Sequence, residues 1–227
     1  MGSIEIWGPI WFYKLDTIIQ FFGAIVALLI AYYTYKAYKL SSKRSHLYFS
    51  LAFALISLNL MIYSVVLPIW AIVNIGSAFI VDIISRPLLL TAGQILNFLY
   101  IFSYFMAYAL LIFVYSKIER RSMIAIVTLL TLIIALYSSI IARYYPVQTF
   151  TGFNIIGLLL LSFIVYFTYN NHKQKKSRSS GLVLSAFLLI SASHLLTIFV
   201  SLNGIFFVFG HIAQLIGYIS LLMVTKT

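Results

Sequence analysis

Two histidines, His194 and His211, are the residues here whose type and position could do chemistry. Each lies in a long apolar run near the C-terminus. The runs read SGLVLSAFLLISASHLLTIFVSL and IFFVFGHIAQLIGYISLLMVTK, joined by Asn203-Gly204. No other Asp, Glu, His, Lys or Arg reads as lying well inside an apolar run. Imidazole can ligate a metal or haem iron, pass a proton, or hold a hydrogen bond. His194 lies eight residues before the end of its run, roughly 12 Å at helical rise, and His211 six past the start of its own, roughly 9 Å. The tight turn makes the runs antiparallel neighbours, so the two rings can share one depth. Ser191, Thr197 and Ser201 lie near His194, and Gln214 and Tyr218 share the His211 face. Upstream, Asn97, Tyr100, Tyr104 and Tyr108 recur at spacings of three and four, a stripe on one helix face. The candidate intramembrane polar site is therefore His194, His211, Gln214, Tyr218, Asn97 and Tyr104.

Three uses compete for it. The expected one is a polar lock between the last two helices, its hydrogen bonds worth roughly 0.6–2 kcal/mol in a membrane. The second is a solute or proton path along His194, His211, Gln214, Asn97 and the tyrosines. The third is haem b or a metal at His194 and His211. Two ligands are few for a metal, and hairpin helices packed roughly 8–10 Å apart leave little room for a porphyrin. No cofactor is expected. Asp16 and Asp82 read as lying at or outside the membrane boundary, and Glu5 and Glu119 in flanking segments. On that reading no mid-membrane carboxylate completes a proton relay or a hard-cation site. Cysteine is absent, which excludes thiolate chemistry. His-Glu-x-x-His, Gly-x-Ser-x-Gly and phosphate-cradling glycine loops are missing as well. Enzymatic catalysis is not expected.

The elements that must position these residues are membrane helices. Of 227 residues, 63% are hydrophobic and 8% charged, against roughly 25% charged in a soluble domain. Spans of roughly 20 apolar residues cross a bilayer as helices. Seven are expected, at about 17–38, 46–67, 88–116, 123–142, 150–170, 180–202 and 205–224: an all-α bundle in one domain, 1–227. Residues 1–16, with Trp7, Trp11, Phe12 and Tyr13, read as an interfacial lead-in, not a cleaved signal peptide. Gly23, Ala27 and Ala31 make a small-residue face on the first span. The second span is expected to stop at Pro68. Ile69–Arg86 reads as a helix lying on, or dipping into, the outer face, with Asp82 and Arg86 placed to pair.

Charge sets the orientation. Lys36, Lys39, Lys43, Arg44, Lys117, Arg120, Arg121, Lys173, Lys175, Lys176, Arg178 and Lys226 fall on one face, twelve of the fifteen basic residues. The positive-inside bias puts that face in the cytoplasm and the N-terminus outside. The net charge of +11 is thus a rim facing anionic lipid, and nucleic-acid binding is not expected. The microbial rhodopsins are set aside, because the last span has no mid-helix lysine for a Schiff base.

The layout resembles the compact seven-helix, N-out sensory input modules of prokaryotes. In its Ile- and Tyr-rich, cysteine-free composition the chain also resembles orphan archaeal membrane proteins. The resemblance runs the whole length and implies a receptor-like module in the cell membrane. Such modules usually continue into an output domain. Here the sequence ends soon after the last span, so a signal would pass to a membrane-protein partner or a second copy. The expected function is a non-catalytic multi-pass protein, either a complex subunit or a stand-alone receptor, with small-solute transport and electron transfer as alternatives.

Overall fold

A computed structural model describes residues 11–75, 86–116, 121–141 and 146–225. Their regular structure is helical: α1 (Phe12–Ser41), α2 (Arg44–Ile75), α3 (Arg86–Ser116), α4 (Arg121–Ile141), α5 (Pro146–Lys175), α6 (Arg178–Ile198) and α7 (Ile205–Thr225), with a 3-10 turn at Phe199–Ser201. All seven are long and apolar enough to cross a membrane. Backbone polar groups in hydrocarbon must be paired within their own segment, so long apolar runs become helices.

Six of the helices close a ring. α1 packs on α2, α2 on α3, α3 on α5, α5 on α6, α6 on α7, and α7 back on α1. α4 stands outside, against α3 and only lightly against α5. Its outward residues Ile126, Leu129, Ile133, Leu136 and Ile140 are exposed, as lipid-facing residues are.

The small-residue face of α1 does pack. Ala24 and Ala27 are fully buried. Ser50 and Ser57 of α2 donate to Ala31 O (2.8 Å) and Ala24 O (2.9 Å). A second close approach joins α6 to α7. A methyl at Gly217 would lie 2.7 Å from Ile190 Cγ1 and 2.9 Å from Ala186 O, whereas one at Gly152 meets nothing within 4 Å. Gly217→Ala should therefore cost about 1–3 kcal/mol, and Gly152→Ala, free of any clash, should be neutral to stabilising by about 0.5–1 kcal/mol. Thermal unfolding in detergent checks both, and equal effects would sink the packing account.

Three expected boundaries are corrected. α1 begins at Phe12, not near Thr17, and Phe12 is almost wholly buried, edge-on to Phe207. α2 does not stop at Pro68 but continues to Ile75. Proline costs only the bond to the Ser64 carbonyl, a loss that membrane helices tolerate. Residues 69–75 accordingly belong to α2, while 76–85, with Asp82, lie outside the described residues. α5 runs to Lys175, carrying His172 and Lys173 as helix rather than loop. It ends where Lys176 turns left-handed (φ 47°) and donates its N–H to His172 O. Ser42 closes α1 in the same way, at φ 55°, donating to Tyr38 O. Asn203-Gly204 does form the α6–α7 turn, with Asn203 Oδ1 accepting from Ile205 N–H at 3.0 Å.

Candidate functional site

A cavity of about 40 Å³ lies among the ring helices, and each of them contributes to its lining. Gln20 comes from α1; Asn59, Leu60 and Tyr63 from α2; Tyr100 and Tyr104 from α3. α5 gives Phe150, Phe153 and Asn154, α6 gives Ser193, His194 and Thr197, and α7 gives His211 and Gln214. A water needs about 10–15 Å³ and two to four polar partners, so a few waters or one small polar molecule fit. A larger space of about 210 Å³ lies against α4, but its lining is mostly apolar, with Phe105, Tyr137 and Ile156. Size alone does not make it the site.

His194 is held from α3 and α5. Asn154 Nδ2 donates to Phe150 O (2.9 Å), which turns its Oδ1 towards His194 Nδ1 at 2.8 Å. An amide oxygen only accepts, so Nδ1 carries the proton and Nε2 accepts. Tyr108 hydroxyl, 3.0 Å from Nε2, is the donor. Tyr104 hydroxyl is 3.2 Å from Nδ1 and 3.0 Å from Nε2. Lying near both, it is in line with neither lone pair and rests against the ring. We therefore take Tyr108 as the Nε2 partner. Asn154→Leu should remove the Nδ1 acceptor and cost about 1–2 kcal/mol. An unchanged melting temperature would count against this tautomer.

His211 faces a different partner. Its Nδ1 is 2.7 Å from Asp16 Oδ1 of α1. The ring N–H does not point straight at that oxygen, so the contact is a close approach and not an aligned hydrogen bond. Asp16 is wholly buried. Gln20, one turn on, donates to Asp16 Oδ1 at 3.2 Å, and Oδ2 is buried without a partner among the described residues. Phe207, Tyr63 and Phe12 surround the His211 ring at centroid distances of 4.2, 6.0 and 6.4 Å.

Asp16, expected at or outside the membrane boundary, falls in the second turn of α1, facing α7. One expectation is corrected: the histidines do not lock α6 to α7. His194 ties α6 to α3 and α5, and His211 ties α7 to α1. Of the other expected site residues, Tyr104 and Gln214 line the cavity. Tyr218 sits behind, accepting from Gln214 Nε2 at 3.2 Å. Asn97 is half-buried and is not among the lining residues. Ser191 turns to its own helix, donating to Phe187 O, and Ser201 is exposed.

Sequence reasoning missed Asp16, Gln20, Asn59 and Asn154 as site residues, and had Tyr108 only as part of the α3 stripe. Asn59 Nδ2 donates to Tyr100 O at 2.7 Å, binding α2 to α3. A polar residue in each of several spans was the available signal. Among the described residues no three His, Cys, Asp or Glu side chains gather as metal ligands do. Haem at His194 would have to break the bonds to Asn154 and Tyr108. The basic rim residues Lys36, Lys39, Lys43, Arg44, Lys173, Lys175, Lys176 and Arg178 are exposed at one end of the bundle. No protein-family model, curated protein or solved structure matches the chain.

Proposed function

We propose that this is a non-catalytic, receptor-like protein of the cell membrane that binds a small polar molecule in the ring cavity and acts through a partner. The supporting observation is that one cavity is lined from all six ring helices, each of which gives it at least one polar side chain. A ligand there touches every helix at once, and differential contacts are what shift a helical bundle between arrangements. The basic rim supports an orientation with the N-terminus outside and the C-terminus cytoplasmic. The rim's lysines and arginines face anionic lipid and the partner. A library of small polar solutes, tested by thermal shift on the purified protein, should yield one that raises the melting temperature, and Gln214→Leu with Thr197→Val should abolish the shift. No stabilising solute, or a shift that survives those changes, would refute the reading.

Transport is the second reading, favoured by the same polar lining. At the end of the bundle where α1 begins, Phe12, Val200, Phe207 and Val208 form an apolar cluster, with Phe150 packed against it. A transporter must part that cluster. Liposome flux unchanged by His194→Ala and His211→Ala would count against transport.

A further inference from the structure

We infer that Asp16 and His211 together form a proton-binding site that loads and unloads through the ring cavity. Nδ1 and Oδ1 2.7 Å apart cannot both be unprotonated, so the pair holds at least one proton, on Nδ1, although that N–H is not aligned on Oδ1. That proton alone leaves a neutral ring beside a carboxylate and a net charge of −1, wholly buried. A buried charge without a counter-charge is strongly disfavoured. The groups that face the pair are few. Gln20 lies on α1, Tyr63 on α2, Tyr100 on α3 and His194 on α6, with Tyr218 of α7 behind Gln214. From α5 come only Phe150, Phe153 and Asn154, and Lys14, two residues from Asp16, is exposed. Among the described residues His211 is the one ion-pair partner that Asp16 has.

A second proton, on His211 Nε2, cancels the charge. The rings of Phe207, Tyr63 and Phe12 pack around His211 and hold it beside Asp16. His211 lines the cavity and Asp16 does not. The proton therefore leaves from Nε2 to a water or solute in the cavity, and Nδ1 keeps its own. Loading yields a neutral clasp between α1 and α7, and unloading leaves a buried carboxylate that loosens it. The device makes the cavity proton-linked, and it rests on the solute-site reading only for the proton's route.

NMR of nitrogen-labelled histidine tests this on the full chain in lipid bilayers, with no solute added. Signals missing from His211→Gln assign the ring among the four histidines. The expected result is a His211 protonated on both nitrogens in acid, losing Nε2–H as pH rises. In Asp16→Asn the doubly protonated form should vanish at pH values where wild type holds it. A wild-type His211 that is singly protonated at every pH overturns the proposal, and so does a titration that Asp16→Asn leaves unchanged. The wild-type series decides even where the variant fails to fold. Failure of the solute reading shows separately, as a missing thermal shift.

Discussion

Asp16→Ala should destabilise the protein by about 3–5 kcal/mol, the cost of removing one partner of a buried pair. The change strands His211 among Phe12, Tyr63 and Phe207, with no acceptor at Nδ1. His211→Leu should cost a similar amount from the other side. It leaves a fully buried carboxylate with the Gln20 amide, 3.2 Å away, as its hydrogen-bond donor among the described residues. The double variant should be far more stable than the sum of the singles, because apolar residues in place of a buried pair are often neutral. Denaturant or thermal unfolding in detergent gives the cycle. Simple additivity would show that the two side chains do not interact. The effect is large for a structural reason as well: α1 meeting α7 is what closes the ring.

That closure was only partly legible in the chain. Seven spans followed from apolar run lengths, because a bilayer admits few alternatives to a helix. The hairpin at Asn203-Gly204, the small-residue face of α1 and the polar stripe on α3 were legible for the same local reasons. His194 and His211 stood out as ionisable groups in apolar runs, and both do line the cavity. Their partners were hidden. Nothing in a one-dimensional pattern says that Asn154 of α5 aims at His194, since ring order depends on side-chain packing between distant helices. Asp16 was missed for a different reason. Its neighbours Trp11, Tyr13 and Lys14 are residue types common at a membrane interface, so composition placed it at or outside the membrane boundary. Where α1 actually starts depends on Phe12 finding Phe207 and His211, a tertiary contact. Pro68 misled similarly: as a helix breaker it ends most soluble helices, but a membrane helix has nothing better to become.

The second large effect should come from Gly157, which carries no ionisable group. Tyr104 hydroxyl lies against its Cα, where any side chain would collide with it. Tyr104 cannot swing aside. Its ring is wedged against Phe153, Tyr108 and Phe105 at centroid distances of 4.0, 4.6 and 5.3 Å. Gly157→Ala should therefore push α5 away from α3, at about 1–3 kcal/mol. It should also loosen Asn154, one turn earlier on α5, from His194. Adding Tyr104→Phe removes the nearest atom and should restore part of the stability. Recovery will be incomplete, since the ring carbon Cζ would still be 2.9 Å from the new methyl. A Gly157→Ala protein as stable as wild type would mean that α3 and α5 do not approach this closely. A loss untouched by Tyr104→Phe would mean that the clash lies elsewhere. The pattern of loss with partial rescue would place Tyr104 between His194 and the α5 backbone, where it forms one wall of the cavity.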